Sequence, residues 1–277
     1  MEIGILFGLG SALAFGSGDF AGGYATRRLS VFTVGAGAHL VGLLLVLGLL
    51  ALTRPAAPGL GSLAIGTVAG AVGGLGLIAL YRGLSLGSMG IVAALSGVGS
   101  VAIPVLAGYA LGRSPVSVGQ WLGIAVALVA IAAASGATRT GVQPAAIALG
   151  VAAGLGFGLW FLLLDYAAEG SETWALVASR SASTTLLGAL ALGRRQFDGL
   201  RAGWPIVATS GILDFSGNAA FVLSRGLVAV GVAAALAGLY PIVTVLLARI
   251  VLRESLPRLG LAAVLLAVLG IVLISMG

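Results

Sequence analysis

The chain has 277 residues, 60% of them hydrophobic and only 8% charged, with a mean hydropathy of +1.18. Soluble domains carry about 25% charged residues, so this composition excludes a soluble globular protein and describes one that lives in a bilayer. All fourteen basic residues are arginine, scattered along the chain and not interleaved with aromatics, which excludes a nucleic-acid surface; the absence of cysteine excludes disulfides, thiol catalysis and cysteine metal sites.

Apolar runs of about 20 residues, in place of alternating strands of about 10, predict helical spans. Ten are expected in chain order: 3–25, 31–52, 60–81, 89–111, 117–136, 144–165, 173–192, 204–224, 230–252 and 259–276. Met1-Glu2-Ile3 lacks a positive leader, so the first segment reads as a retained span. The connections are short and hold most of the charge. The 46 glycines fit a bundle whose helix backbones approach closely.

The chain repeats itself. Residues 90–114 align with 231–255 at an offset of 141, matching Gly90 to Gly231, Leu95 to Leu236 and Leu111 to Leu252. Phe15 and Gly16 lie over Phe157 and Gly158 at 142, Arg82 over Arg225 at 143, and His39 over Arg180 at 141. The halves are 1–136 and 144–277, each with five spans. An odd number of crossings inserts the second half upside down. Inverted repeats are the architecture of secondary transporters, with a site near the midplane where the halves meet. The expected fold is therefore an all-α polytopic membrane protein of two inverted five-helix repeats.

Nine arginines fall at odd-numbered connections (counting each by the span it follows) and three at even-numbered ones, namely Arg54, Arg113 and Arg225. The excess of positive charge on the cytoplasmic side then places the odd connections in the cytoplasm and both termini outside.

Ionisable groups at membrane depth are costly and read as functional candidates. Asp214 lies ten residues into the eighth span, about 15 Å deep at 1.5 Å per residue. Asn218 follows one turn later on the same face. Asp214 is the first candidate for a proton carrier or amine ligand; a helix-holding pair with Arg180 is the structural alternative. His39 and Arg180, at equivalent repeat positions, are expected to flank an anionic group such as a carboxylate. Asp19, late in the first span, is the second proton-coupling candidate or else an interfacial anion beside Arg27 and Arg28. Trp160 and Tyr240 are candidate cavity walls. Pro104 and Pro241 are candidate hinges, because a proline frees carbonyls and permits bending. Arg249, Arg82 and Arg225 read as snorkelling or loop anchors.

Gly16-Ser17-Gly18-Asp19 matches the Gly-x-Gly-Asp of intramembrane aspartyl proteases, but that chemistry needs a second aspartate sharing a proton. The nearest sequence match to its partner motif is reversed, Asp165-Tyr166. There is no His-Glu-x-x-His, Gly-x-Ser-x-Gly or Walker sequence. No cofactor, metal or ATP chemistry is expected, and any active transport must run on gradients.

Three features resemble the EamA domain of the drug/metabolite transporter superfamily. They are the aromatic-glycine steps Phe15-Gly16 and Phe157-Gly158, the run Tyr240-Pro241-Ile242-Val243-Thr244, and Leu252-Arg253-Glu254-Ser255-Leu256, similar to the family's Leu-Gly-Glu-Arg-Leu. The first half departs from the pattern at Leu111-Gly112-Arg113-Ser114, where the acid usually sits, and Gly18-Asp19 stands where relatives more often carry Asn-Phe. The resemblance covers nearly the whole chain and implies a carrier of small metabolites with both termini in the cytoplasm, opposite to the arginine count. The protein is accordingly expected to be a multi-pass carrier of a bacterial inner membrane, monomeric or homodimeric. It would move an amino-acid-like or other small amphipathic solute, as an exporter with proton coupling. An uncoupled facilitator or importer, a passive channel and the protease are the alternatives.

Overall fold

A computed structural model describes residues 2–112, 115–197, 199–228 and 236–276. Arg113, Ser114 and the opening of the ninth predicted span lie outside the described residues, as do the side chains of Arg139 and Arg225. Ten helices follow one another among the described residues: α1 (Glu2–Ala25), α2 (Val31–Thr53), α3 (Leu60–Ser85), α4 (Met89–Ala110), α5 (Val118–Gly136), α6 (Pro144–Ala168), α7 (Glu172–Arg194), α8 (Leu200–Arg225), α9 (Tyr240–Val251) and α10 (Arg258–Met276). All except α9 are long and apolar enough to cross a membrane. Leucines such as Leu44, Leu52, Leu60 and Leu265 lie exposed on the outside of the bundle, as a lipid-facing surface requires.

Local chemistry sets the helix ends. Ser117 and Gln120 form a reciprocal capping box at the start of α5, and the Ser30 hydroxyl accepts the Phe32 N–H at the start of α2. The eighth span begins four residues earlier than its sequence suggests. Gly199, at φ 75°, makes the turn, and Pro205 falls inside the helix and not at its start. Pro241 sits in the first turn of α9, where its missing N–H costs nothing. The break in that segment is a turn at Gly238 and Leu239.

The packing maps onto itself when α1–α5 are exchanged with α6–α10. Helix α1 packs on α8 as α6 packs on α3; α1 meets α9 as α6 meets α4; α2 pairs with α7 and α5 with α10. The aromatic-glycine steps show why. A Cβ on Gly16 would lie 2.4 Å from the Tyr240 carbonyl oxygen, and one on Gly158 would lie 2.6 Å from the Gly99 carbonyl oxygen. Position 99 plus the repeat offset of 141 is 240. Each glycine thus lets its helix rest on the backbone of the same partner in the other half. Further close crossings join Gly76 to Gly156 and Gly99 to Gly154. In a bilayer, such backbone contacts do the work that apolar burial does in water.

The motif around Glu254 has an equally local cause. Arg253 adopts a left-handed conformation (φ 53°) after α9, and the Glu254 N–H returns to the Ala248 carbonyl. The carboxylate then accepts the Met89 N–H at 3.2 Å and the Gly90 N–H, capping α4 across the half boundary. Its Oε1 is buried without a partner beside a void of about 20 Å³, room for about one water. Burial pushes this carboxyl above the usual range, against the pull of the two backbone N–H groups and of Arg27. A raised folded-state pKa means a contribution to stability that is full below the ordinary glutamate pKa of 4.5 and lost as pH rises through the folded value. Thermal midpoints measured across that window should therefore fall with pH in the wild type relative to Glu254→Gln. Glu254→Ala should be about 1 kcal/mol or more less stable at every pH, because it orphans the α4 N–H groups.

Candidate functional site

A cavity of about 720 Å³ lies between the halves. Its lining brings together His39, Arg180, Asp214, Asn218, Trp160, Tyr240, Asp19 and Pro104. Pro241 is elsewhere, packed against Gly97 of α4. Asp19 faces this cavity and not the membrane boundary beside Arg27 and Arg28. The cavity reaches Leu111, Gln120, Tyr166 and Glu172 at the even-numbered connections, and no described residue of an odd-numbered connection lines it.

The innermost polar wall comes from α1, α2, α7 and α8, while Asp165 of α6 and Gln120 of α5 also line the cavity. Arg180 forms an ion pair with Asp214; the arginine side chain is 7% exposed and the aspartate 34%. This changes the expectation for Arg180: its charge is matched by the protein and does not stand open to an anion. Asn218 donates to the Asp214 carbonyl at 2.9 Å. His39 Nδ1 lies 2.6 Å from the Ser183 hydroxyl, which itself donates to the Arg180 carbonyl at 3.2 Å. Among the described residues Asp19 has neither an ion pair nor a hydrogen bond.

Aromatic side chains share the lining: Phe157, Trp160 and Phe161 of α6 and Phe15 of α1. Trp160 lies against Gly73, where a Cβ would meet its indole at 2.6 Å, and its Nε1 donates to Ser179 Oγ at 2.9 Å. Tyr240 hydrogen-bonds Ser96 at 3.2 Å. The aromatic-glycine steps thus have two functions: the glycine seats the helix, and the preceding phenylalanine faces the cavity.

The far end is shut. Tyr81, 3% exposed, fills the space against Gly22, where a Cβ would lie 2.2 Å from its ring. Its hydroxyl meets Ser210 at 3.0 Å, and Ser210 donates to the Gly18 carbonyl at 2.9 Å. Beyond it, Ser30 donates to the Gln196 side chain at 2.6 Å, Thr33 donates to the Gln196 carbonyl, and Arg194 stacks over Phe32 at 4.4 Å. These contacts join one half to the other. The sequence reading did not single out Tyr81 or the serines, because a lone hydroxyl in an apolar helix carries no periodic signal.

The fold and this cavity define a multi-pass α-helical membrane protein whose two repeated halves enclose a solute-sized chamber. The EamA-like transporter family matches residues 2–136 and again 144–276, and the chain belongs to that family. It is a membrane transporter of the drug/metabolite type and not an enzyme. Asp214, the second aspartate that the cavity brings near Gly18-Asp19, is held by Arg180 instead of sharing a proton in a dyad. No curated protein matches the chain. One solved structure, described only as "Crystal structure of protein", is similar in fold, with a TM-score of 0.65 at 16% identity over 98% of this chain and 96% of that one.

Proposed function

We propose that the protein is an alternating-access carrier in which two inverted halves rock about the central cavity and exchange a small amphipathic solute for protons, moving it outward. The observation that carries this reading is a chamber reaching one end of the bundle and sealed at the other by contacts between the halves. Five helices per half in a two-fold arrangement favour inversion. The arginine count favours cytoplasmic odd connections, so that the cavity opens outward. The turn at Gly238 and Leu239 and the proline at 104, both on the cavity, supply the points of bending. A channel would need a path through Tyr81 and Gln196, and these positions are packed or bonded.

The coupling role falls to Asp19 and not to Asp214. Arg180 already compensates Asp214, whereas Asp19 can alternate between a proton and a cationic group of the solute. A thermal-shift panel of amino acids, sugars, nucleosides and amines selects a solute that occupies the chamber. In proteoliposomes that solute should show saturable counterflow. Asp19→Asn should abolish uphill transport driven by a pH gradient while leaving counterflow partly intact. Uphill transport at the wild-type rate in Asp19→Asn would remove Asp19 from coupling, and flux without counterflow would mark a channel.

A further inference from the structure

The polar groups in the cavity are unequally spent. Several donors are engaged with the protein: one Arg180 nitrogen with Asp214, Trp160 Nε1 with Ser179, and an Asn218 amide N–H with the Asp214 carbonyl, while His39 Nδ1 pairs with the Ser183 hydroxyl. Among the groups that remain, the acidic acceptors stand out: the Asp19 and Asp165 carboxylates, with Asn218 Oδ1 beside them. The ion pair cancels itself, and Asp19, Asp165 and Glu172 remain on the lining, so the chamber carries an excess of acidic groups with Asp19 the innermost of them beside the ion pair. The same chamber is lined by Phe15, Phe157, Trp160 and Phe161, and the Trp160 N–H is already bonded to Ser179. Phe15 stands one helical turn before Asp19, on the same face of α1. Aromatic faces attract cations and apolar bodies, and repel anions.

We infer that the solute is an organic monocation, an ammonium with N–H donors on an apolar or aromatic body, with its charged head on Asp19 and its body against Trp160 and Phe157. This reverses the charge that the sequence suggested for the ligand of Arg180 and His39. It deepens the carrier reading and rests on it. A volume of about 720 Å³ admits such a molecule, since small-ligand pockets run from about 300 to 1,000 Å³.

Three probes share one body and differ in charge: phenethylamine, phenylalanine and 3-phenylpropionate. With the purified full chain in nanodiscs at pH 7.5, phenethylamine should raise the thermal midpoint saturably, and the zwitterion and the anion should not. Asp19→Asn should weaken phenethylamine at least tenfold, Asp19→Glu should recover most of it, and Trp160→Leu should weaken it while the Asp19 dependence persists. An unchanged unliganded midpoint in Asp19→Asn shows that the fold survives. Preference for the zwitterion or the anion, equal amine binding by Asp19→Asn, or no binding of any probe would each overturn the inference. The carrier reading fails separately, if a cysteine at Leu77 of the unbridged protein reacts with an impermeant maleimide from one membrane face only.

Discussion

Arg180→Gln should abolish transport and lower stability, by less than the about 3–5 kcal/mol that stranding one partner of a fully buried ion pair costs, because the stranded Asp214 side chain is 34% exposed. The guanidinium is the only cation that the described cavity sets against Asp19 and Asp214. Its removal leaves Asp19 and Asp214 uncompensated in one chamber, which Asp165 and Glu172 also line. The cost lies in the orphaned charge, so the double change Arg180→Gln with Asp214→Asn should recover much of the stability. It should not recover transport, because the same change dismantles the polar wall. Thermal unfolding of the single and double variants, paired with counterflow, separates the two effects. A double variant as unstable as Arg180→Gln alone would show that Arg180 supports the fold by packing and not through its charge.

Gly70→Ala should be the most damaging glycine-to-alanine change among the described residues. Its Cβ would lie 2.0 Å from the Ser179 carbonyl oxygen, a backbone atom that cannot rotate away. Helices α3 and α7 would have to separate, at about 3 kcal/mol or somewhat more. The separation also moves the site, because Ser179 holds the Trp160 indole and precedes Arg180. Gly48→Ala is the matched control. It lies in α2 with nothing within 4 Å, so the substitution should be neutral or slightly stabilising. Equal expression and thermal midpoints for both variants would contradict the close crossing of α3 and α7.

Much of this architecture was legible in the sequence because its causes are periodic. Apolar runs bounded by charge and by Gly, Pro or Ser marked the helices within a few residues. The constant offset between Phe15-Gly16 and Phe157-Gly158 foreshadowed the two-fold packing. Membrane depth alone drew attention to His39, Arg180, Asp214 and Asn218, and all four line one cavity. What the sequence did not carry was how groups from distant helices divide their bonds. Whether Arg180 answers Asp214 or a ligand depends on the approach of α7 to α8, which no spacing encodes. Asp19 read as either a coupling group or an interfacial anion because depth was counted from the helix end, whereas the cavity reaches along α1 to meet it. Tyr81 escaped notice because an aromatic near a span end ordinarily belongs to the interfacial belt. Only the bare surface of Gly22 beside it makes it a plug.

The central claim is that one chamber is reached from the two membrane faces in turn. The chain has no cysteine, so single thiols report cleanly. A cysteine at Leu77, which lines the cavity, should react with an impermeant maleimide in both right-side-out and inside-out vesicles. When Ser30→Cys and Gln196→Cys are bridged by a short reducible cross-linker, reaction should persist only from the face of the even-numbered connections, and transport should stop. Reduction should restore both. Reaction from both faces with the bridge in place, or from one face only in its absence, would contradict alternating access.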